Sequence, residues 1–345
     1  MMVFTSGTTG RPKGAVLSHG AIAATVANGI ATQGFVSDDV IVAGLPNFHV
    51  GGLNIQTLPA LRAGATVVLL RRFDPMQVLD AVEQHGVTQM LLVPAMLSAI
   101  SGLPRFDETD FGTVRGVMSG SSVVPAAVTE PWFARGVPVG QIYGTTETGP
   151  TAVVLACEDA ADHPGSGGRV VPPGEMRIVR SNGSECEPGE PGEVLLRGPF
   201  LFSEYWRDAE ATAAGLIDGW YHTGDVGHVD DDGWLFISDR LRDMLISGGE
   251  NVFPAEIEAV LLESPDVAEV AVVGRPDERF GEIGVAVVVP REHSAPPTLD
   301  GIRDFLDGRL ARYKHPRDLV IVDSLPRTAL GKVTKHVVRD RLAQR

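Results

Sequence analysis

A short stretch near the start of the chain, Thr5–Gly14 (TSGTTGRPKG), holds the densest group of residues able to bind phosphate. Its three glycines let main-chain N–H groups approach an anion, its four hydroxyl side chains can donate hydrogen bonds, and Arg11 and Lys13 add positive charge. The Walker A pattern does not fit, because Pro12 precedes Lys13 and Gly14 stands where Ser or Thr is required. Taken alone, the stretch is either a phosphate-binding loop of another kind or a solvated linker.

A second polar group lies in Gln141–Pro150 (QIYGTTETGP), which follows an apolar run. Thr145, Thr146 and Glu147 are therefore expected at the carboxyl end of a strand, where α/β sheets bind their ligands. Two hydroxyls beside a carboxylate suit a phosphate with Mg²⁺, since this metal takes few protein oxygens and keeps phosphate and water as its other ligands. A Thr-rich turn without a ligand is the alternative.

Two further stretches each carry one charged residue of interest whose chemistry is ambiguous. Trp220–Gly227 (WYHTGDVG) is expected to place Asp225 in a Gly-flanked turn, where its carboxylate suits the two hydroxyls of a ribose or serves only the turn. Pro326–Lys335 (PRTALGKVTK) carries Lys332 near the end of a loop bounded by Pro and Gly. A lone lysine near a C-terminus is usually a solvated charge, so neither stretch decides a function by itself.

The stretch Trp234–Glu256 (WLFISDRLRDMLISGGENVFPAE) lies between two parts of the sequence that differ in their pattern of predicted strands and helices. Asp239–Asp243 concentrates charge there, and Gly248–Gly249 predicts a flexible loop. The stretch is either a hinge or a plain solvated connector, and its position at a boundary favours the hinge.

The elements that must position these motifs follow a strand–helix–strand rhythm in the first part of the chain. Apolar runs predict buried strands, and apolar residues at helical spacing predict helices between them. This rhythm is typical of parallel βαβ units. The predicted strands are Ala65–Leu70, Gln89–Pro94, Val114–Met118 and Val137–Tyr143, and the predicted helices are Pro75–His85 and Val124–Arg135.

Two other patterns of predicted secondary structure follow along the chain. Short strands separated by Gly, Pro and Asp predict a more antiparallel, barrel-like piece at Met176–Val179, Glu193–Arg197 and Trp234–Ser238. A compact α+β pattern then has strands Val267–Val273, Ile283–Val289 and Leu319–Val322 and helices Pro254–Glu263, Leu299–Leu310 and Val333–Leu342. We therefore predict an α/β large domain over residues 1–239, with parallel sheet layers, helices and the barrel-like β piece. A hinge at 240–243 and a small mobile α+β C-terminal domain over 244–345 complete the expected fold.

Composition limits the partners of this chain. The net charge of −15 over 345 residues argues against a nucleic-acid partner, because no broad basic field is available to replace counterions. A polyphosphate site must then concentrate positive charge locally. Cys157 and Cys186 lack metal or redox spacing and suit a reducing cytoplasm, which is the expected location. No apolar run approaches about eighteen residues, so no membrane span is expected.

Together these motifs are far more specific than any one of them. TSGTTGRPKG, YGTTE, YHTGD, DRLRD with SGGENVFPAEIE, and PRTALGK occur in family order from Thr5 to the end of the chain. The chain thereby resembles the adenylate-forming superfamily of acyl- and aryl-CoA synthetases, nonribosomal adenylation domains and beetle luciferases. The resemblance implies an enzyme that uses ATP and Mg²⁺ to convert a carboxylic acid into an acyl-adenylate, releasing pyrophosphate. Coenzyme A then displaces AMP and forms the thioester.

The resemblance also implies roles for individual residues of the nucleotide site. Thr146 would bond the α-phosphate, Glu147 would hold Mg²⁺, and Asp225 and Arg240 would hold the ribose. Lys332, brought in by the small domain, would bridge the carboxylate and α-phosphate oxygens. The phosphate-binding residues would be Thr5, Ser6, Gly7, Thr8, Thr9, Gly10 and Lys13, and the strip beside the adenine would comprise Gly120, Ser121 and Ser122, with Tyr143 on the ring followed by Gly144 and Thr145.

Other implied roles concern the acid and the thiol. His49 matches a position at the mouth of the acyl pocket, although a buried, hydrogen-bonded His is a competing interpretation. Arg242 matches the hinge, where many relatives have Asp or Lys. Rotation there would withdraw Lys332 and bring Gly248 and Gly249 near the pantetheine arm of coenzyme A.

The acid itself is less defined by the sequence. Gly51, Gly52 and Gly116 are small residues that would leave room for an alkyl chain, so a medium- or long-chain fatty acid is the first expectation. An aryl or succinylbenzoate-type acid, a carrier-protein acceptor, or an inactive adenylate-binding remnant are the alternatives. Full-length relatives carry a substantial region before the phosphate loop that is missing here. We therefore expect a truncated large domain whose exposed edges favour association, including homo-oligomers.

Overall fold

The computed structural model describes residues 1–5, 12–121, 124–327 and 333–343. The chain divides into two compact units, Met1–Thr223 with Gly227–Ile237, and Gly224–Val226 with Ser238–Arg345. The residues of the expected hinge, 240–243, belong to the second unit. A large α/β unit with an added β piece, followed by a small α+β unit, confirms the predicted fold class.

The strands up to Arg240 are, in chain order, β1 (Met2–Thr5), β2 (Lys13–Val16), β3 (Val40–Ala43), β4 (Thr66–Leu69), β5 (Gln89–Leu91), β6 (Gly116–Gly120), β7 (Val139–Tyr143), β8 (Val153–Leu155), β9 (Arg169–Val170), β10 (Glu175–Val179), β11 (Gly192–Arg197), β12 (Glu204–Tyr205), β13 (Leu216–Ile217), β14 (Trp220–Val229) and β15 (Leu235–Arg240). The helices of the same part are α1 (His19–Gln33), α2 (Leu58–Ala63), α3 (Pro75–His85), α4 (Pro94–Ser101), α5 (Pro104–Glu108), α6 (Ala126–Ala134) and α7 (Ala209–Gly215), with a π-helix at Gly51–Thr57 and a 3₁₀ helix at Thr146–Thr148.

A seven-stranded sheet organises the first unit, in the order β4-β3-β5-β6-β7-β8-β9. The pairs from β4 through β7 are parallel, while β8 and β9 are added antiparallel. Apolar side chains cover both faces, with Val117 and Trp132 in one cluster and Met118 and Ile142 in another. Burial on both faces explains why these strands are continuous apolar runs in the sequence, and it confirms the predicted parallel βαβ units.

Helix α3 shows how local sequence sets the element boundaries. The Asp74 carboxylate accepts hydrogen bonds from the main-chain N–H groups of Met76 and Gln77 at 2.9 and 3.3 Å, which caps the first turn. Pro75 occupies the first helical position, and Gly86 ends the helix with a φ of 61°. The predicted bounds Pro75–His85 are confirmed.

Two smaller sheets complete the β content of this part of the chain. One has the order β1-β2-β12, and the other has the order β10-β11-β14-β13 with β15 also paired to β14. The prediction of a Gly-flanked turn around Asp225 is wrong, because this residue lies within strand β14. The two glycines are explained by the strand itself. Gly224 has a φ of 68°, which favours glycine, and a Cβ at Gly227 would lie only 2.6 Å from the Phe236 carbonyl oxygen.

The second unit is a five-stranded sheet in the order β17-β16-β19-β18, with β20 parallel to β19. Alternate residues of β18 pack on opposite faces, Val270 and Val272 in the cluster that includes α8 and α9, and Ala271 and Val273 in the cluster that includes α10. The elements are β16 (Leu245–Ser247), β17 (Glu250–Val252), β18 (Val267–Asp277), β19 (Gly281–Pro290), β20 (Asp318–Ile321), α8 (Pro254–Leu261), α9 (Leu299–Leu306) and α10 (Lys335–Ala343), with a 3₁₀ helix at Arg312–Lys314.

Two expectations for this unit are wrong in detail. Helix α9 ends at Leu306, four residues before the predicted end, because Asp307 is extended and Gly308 has a φ of 77°. Gly248 and Gly249, predicted to form a flexible loop, form a tight turn between β16 and β17, with φ values of 65° and 88°. Left-handed backbone at both positions is what a two-residue hairpin turn requires, so the glycine pair is explained by turn geometry.

Candidate active site

The expected nucleotide-binding residues of the first unit lie at the edge of the seven-stranded sheet where its parallel strands end. The parallel strands β3, β5, β6 and β7 all have their carboxyl ends at this edge. Gly120 ends β6 and is paired with Ile142, so it lies next to Tyr143 at the end of β7. Ser121 follows with a φ of 77°, a left-handed conformation that is uncommon for a residue with a side chain. Ser122 lies outside the described residues.

The segment Thr145–Gly149 follows β7 as a buried, tightly folded turn. Thr146, Glu147 and Thr148 form the 3₁₀ helix, and the Thr148 hydroxyl accepts from the Thr145 N–H at 2.9 Å and donates to its carbonyl at 3.1 Å. A Cβ on Gly144 would lie 1.8 Å from the Pro150 carbonyl oxygen. Only glycine permits this close return of the chain, which explains the Gly in YGTTE.

Glu147 is held on both its main chain and its side chain. Its carbonyl accepts from the Phe202 N–H at 2.7 Å, and its Oε1 accepts from the Tyr205 hydroxyl at 2.7 Å. Glu147 is only 6% exposed, so this hydrogen bond is made away from solvent. Burial, reinforced by the Glu147 carboxylate, raises the pKa of Tyr205 far above its usual value, so the hydroxyl stays a neutral donor.

Tyr205 also connects Glu147 to the phosphate-loop hairpin. Strand β12, which carries Tyr205, pairs with β2, and the Lys13 ammonium lies 5.2 Å from the centre of the Tyr205 ring. Thr5 and Lys13 face each other across β1 and β2, so they close the base of the loop. The residues between them, including the expected phosphate ligands Ser6, Gly7, Thr8, Thr9 and Gly10, lie outside the described residues. The structure thus brings Thr5, Lys13 and Glu147 into one neighbourhood.

His49 lies just before the π-helix, beyond the end of β3. Its Nδ1 accepts from the Gly51 N–H at 3.0 Å, and its carbonyl accepts from the Leu53 N–H. Burial lowers the pKa of the ring, so a neutral imidazole with its hydrogen on Nε2 is favoured near neutral pH. The ring is half-buried, and its hydrogen bond with the main chain agrees with the competing interpretation of a hydrogen-bonded His49.

The donor set fits a nucleotide with Mg²⁺. The Thr145 hydroxyl oxygen is shielded from solvent and has no hydrogen-bond partner within the described residues, which a phosphate oxygen could supply. No group of three or more His, Cys, Asp or Glu side chains that could hold a metal is found among the described residues. A single buried carboxylate, Glu147, beside threonine hydroxyls suits a magnesium ion that takes its remaining ligands from phosphates and water.

The second unit carries the expected ribose, hinge and thiol residues. The Arg240 Nε lies 3.2 Å from an Asp225 carboxylate oxygen, so the two residues expected to hold a ribose are neighbours. Burial and the adjacent Arg240 charge lower the pKa of Arg242, the expected hinge residue. The Gly248 N–H donates to the Phe280 carbonyl at 2.8 Å, which fixes the glycine turn. Lys332 lies outside the described residues.

The three glycines expected to leave room for an alkyl chain are explained by packing. A Cβ on Gly52 would lie 2.6 Å from the Pro46 carbonyl oxygen, and one on Gly116 would lie 2.5 Å from the Cys157 Sγ. On Gly51 it would meet the His49 ring at 3.1 Å. Since the protein itself fills these positions, the glycines carry no information on the length of a substrate.

Three further findings concern Tyr205, the helices and Cys157. Tyr205, which sequence reasoning missed, is 58 residues from Glu147 and becomes its partner only through the pairing of β12 with β2, a contact that no local motif signals. No helix within the described ranges is long and apolar enough to cross a membrane. Burial raises the pKa of the Cys157 thiol to about 11, in keeping with a packed thiol.

Comparison with known proteins gives consistent matches over the whole chain. The family model for AMP-binding enzymes matches residues 1–206, and the model for the C-terminal domain of AMP-binding enzymes matches residues 256–332. An indoleacetate–CoA ligase of Aromatoleum aromaticum is 50% identical over 347 residues, covering 100% of this chain and 68% of the relative. A feruloyl-CoA synthase of an Amycolatopsis species is 42% identical, covering 99% of this chain and 69% of the relative.

A solved structure supports the same grouping. The o-succinylbenzoate coenzyme A synthetase of Bacillus subtilis, in complex with ATP and magnesium ion, is 35% identical to this chain with a TM-score of 0.90. The match covers 98% of this chain and 69% of that protein.

Proposed function

The chain belongs to the AMP-binding enzyme family, the adenylate-forming superfamily, and we propose that it joins an aromatic carboxylic acid to coenzyme A. It is an AMP-forming acid–thiol ligase that uses ATP, Mg²⁺ and coenzyme A. The observation that carries the aromatic substrate is the 50% identity to an indoleacetate–CoA ligase along the entire chain, supported by the 42% identity to a feruloyl-CoA synthase. A fatty acid is the second candidate: the glycines that suggested it are packed against the protein and no longer favour it, while a long-chain-fatty-acid–CoA ligase is among the relatives at 37% identity.

In the first half-reaction a carboxylate oxygen of the acid attacks the α-phosphorus of ATP, and the bond from that phosphorus to the pyrophosphate oxygen breaks. Both reactants are anions, so the main barrier is electrostatic and must be lowered by positive charge and donors placed in advance. Lys13 at the base of the phosphate loop supplies charge, and the hydroxyls of Thr145 and Thr146 supply donors for phosphate oxygens. Mg²⁺, when bound, neutralises further phosphate charge.

Within this scheme Glu147 would hold the metal, and Tyr205 fixes the orientation of its carboxylate. Because Oε1 already accepts from Tyr205, the carboxylate is oriented before any ligand arrives. An oriented carboxylate loses little conformational freedom on binding a metal, so the Tyr205 hydrogen bond favours a productive geometry.

In the second half-reaction the sulfur of coenzyme A attacks the acyl carbon, the carbon–oxygen bond to AMP breaks, and the thiol proton is released. We propose that Lys332 acts in the first half-reaction and that Gly248 and Gly249 lie near the pantetheine arm in the second. Arg242 would be the hinge at which the small unit changes position between them. These roles rest on the family resemblance, since Lys332 lies outside the described residues.

A panel of acids tests the proposal. Pyrophosphate release is measured with indole-3-acetate, ferulate, o-succinylbenzoate and decanoate at saturating ATP, followed by CoA-dependent release of AMP. We expect one of the two aromatic monoacids to exceed decanoate in kcat/KM by more than about tenfold, the discrimination a shaped apolar pocket can supply. Faster turnover of decanoate would contradict the aromatic substrate, and tight binding of an acyl-adenylate analogue without turnover by any acid would favour an inactive remnant.

Self-association and a cytoplasmic location stay predictions. Met2, Phe4 and Trp206 are 45%, 65% and 52% exposed along the β1-β2-β12 sheet, an apolar surface that supports association with a second copy of the chain. Size-exclusion chromatography with light scattering measures this directly, and a dispersed monomer at high concentration would contradict it.

A further inference from the structure

Asn54 lies at the centre of the π-helix Gly51–Thr57, five residues after His49, and its side chain is fully buried. A π-helix is rare, because its wider turn is less stable than that of an α-helix, and where one occurs it often marks a functional site. Here it places a polar side chain inside the first unit, where an apolar residue would otherwise be expected.

The amide of Asn54 holds the end of the segment that carries Glu147. Its Nδ2 donates to the Gly149 carbonyl at 2.9 Å. Gly149 terminates the 3₁₀ helix with a φ of 89°, and its N–H donates back to the Thr146 carbonyl at 3.3 Å. The donor on Asn54 therefore fixes the last peptide of the turn formed by Thr146, Glu147 and Thr148.

Helix α1 restrains the same stretch of backbone from another side. A Cβ on Gly149 would lie 2.0 Å from the Thr25 hydroxyl oxygen, so this peptide is in close contact with the helix. The Asn28 Nδ2 donates to the Thr151 carbonyl at 2.9 Å. Of these restraints, Asn54 is the one that comes from the element beginning next to His49.

The other half of the Asn54 amide is unsatisfied. Its Oδ1 is shielded from solvent and has no hydrogen-bond partner among the described residues. A buried acceptor without a partner destabilises the folded state, and a leucine of similar size would avoid that penalty. The retention of an amide here is explained if its donor has a role that an apolar side chain cannot fill.

We propose that Asn54 is a positioning residue for the adenylation step, which holds the Thr146–Glu147 turn in register with the His49 side of the acid site. This inference rests on the proposed function, since it assigns to that turn the α-phosphate and the metal. A displacement of about 1 Å at a reacting group can cost about a hundredfold in rate, so loss of one well-placed donor is expected to be visible in kcat.

Asn54→Leu is the informative variant, because it removes the donor and the unpartnered oxygen together. We expect the melting temperature to change little, because the variant removes the unpartnered Oδ1 but also leaves the buried Gly149 carbonyl without its donor. In contrast, kcat for pyrophosphate release should fall by about tenfold or more. The CoA-dependent step, started from a supplied acyl-adenylate, should change by less than twofold. Thr57→Val is the matched control from the same π-helix. It removes a hydroxyl that lies 2.8 Å from the Gly52 carbonyl oxygen and 3.1 Å from the Asn47 Oδ1, and it should leave pyrophosphate release unchanged.

Combination with Glu147→Gln separates positioning from general structural damage. If Asn54 acts through the turn, Asn54→Leu should cause a smaller loss in a Glu147→Gln background than in the wild type, because the contribution of Glu147 is already gone, whereas independent damage would multiply. Wild-type rates in Asn54→Leu, or an equal loss in both half-reactions that follows a lowered melting temperature, would overturn the inference. If the wild type binds Mg·ATP but turns over no acid, the proposed function fails, and titration calorimetry still decides the inference: weaker Mg·ATP binding by Asn54→Leu supports it, and equal binding overturns it.

Discussion

The turn Thr145–Gly149 in the first unit and the charged segment Asp239–Asp243 in the second unit are held in different ways. Two main-chain carbonyls of the turn accept hydrogen bonds, that of Glu147 from the Phe202 N–H and that of Gly149 from the Asn54 amide. The Glu147 carboxylate accepts a third from the Tyr205 hydroxyl. The charged segment also has main-chain hydrogen bonds, such as the one from the Leu241 N–H to the Gly224 carbonyl at 2.8 Å. It differs from the turn in its ion pairs, which join buried aspartates to arginines that are about one-third exposed. Hydrogen bonds to a buried main chain allow one arrangement, whereas ion pairs near the surface exchange partners at low cost.

Asp243 has two arginines within reach. Asp243 lies 2.9 Å from the Arg339 guanidinium of α10 but 4.0 Å from Arg242. Asp239, by contrast, accepts from the main-chain N–H groups of Arg240 and Ala255 at 2.7 and 2.8 Å. Asp239 thus ties one end of the segment to the start of α8, and Asp243 at the other end is paired with Arg339 and has Arg242 nearby.

Helix α10 contributes a second ion pair on the same face. The Lys335 ammonium lies 2.9 Å from Glu258 on α8. Burial disfavours the ammonium, but the carboxylates of Glu258 and Asp239 outweigh burial and raise the pKa of Lys335. Lys335 and Arg339 are four residues apart and share a face of the helix, so they hold α10 to α8 and to Asp243. On this contrast we propose that the turn is the rigid part of the site and that the charged segment is the hinge, with Arg242 and Arg339 as alternative partners of Asp243.

Lys332→Ala should have the largest effect. If Lys332 offsets the charge that develops when the carboxylate attacks the α-phosphate, pyrophosphate release should fall by about 10²- to 10³-fold. The CoA-dependent step from a supplied acyl-adenylate should change little, because that step no longer joins two anions. Rapid-quench measurement of both half-reactions checks the result, and an unchanged rate of acyl-adenylate formation in a folded variant would refute the role of Lys332.

Glu147→Gln tests the rigid turn. Glutamine keeps an oxygen that can accept from Tyr205, so the fold should be retained while the negative charge is lost. Pyrophosphate release should fall by about a hundredfold, with a higher requirement for Mg²⁺. Titration of the rate against Mg²⁺ is the measurement. A normal Mg²⁺ dependence would show that another group holds the metal.

Arg339→Ala tests the exchangeable pair. Without Arg339, Asp243 should pair with Arg242, at a cost of about 1 kcal/mol in the free energy of unfolding, since the arginine is about one-third exposed. If Arg242 is the hinge, this new pair should slow the CoA-dependent step by about fivefold, the effect of a coupling near 1 kcal/mol. Arg341→Ala, which removes the same charge from an exposed position of the same helix, is the control. Equal effects of the two variants would show that Asp243 is not involved.

The smallest expected effect concerns pH. Because burial lowers the pKa of His49 below its unfolded value of about 6.5, the unfolded chain binds the proton more readily. The neutral ring therefore contributes stability that is fully present above about pH 6.5 and is lost as pH falls toward the folded-state pKa. The melting temperature of the wild type relative to His49→Gln should decline between about pH 7 and pH 5. A difference that is independent of pH would contradict a buried, neutral His49.

The sequence predicts much of this molecule, and the exceptions have physical reasons. Parallel strands and α3 follow from apolar patterning and from capping residues, which are local signals. Tyr205 and Asn54 were not predicted, because their contacts with Glu147 and Gly149 span 58 and 95 residues. The reason for a glycine is equally hard to predict from sequence. Gly116 makes room for the Cys157 sulfur, 41 residues away along the chain, and this contact arises only in the folded protein.

The most direct test of the central claim follows an oxygen atom. The acid found most active in the panel is prepared with ¹⁸O in its carboxylate and turned over with ATP, Mg²⁺ and coenzyme A, and the nucleotide product is examined by mass spectrometry. If a carboxylate oxygen attacks the α-phosphorus and coenzyme A then cleaves the carbon–oxygen bond, each AMP carries one ¹⁸O and the pyrophosphate carries none. Unlabelled AMP, or ¹⁸O in inorganic phosphate with ADP as the product, would contradict the account.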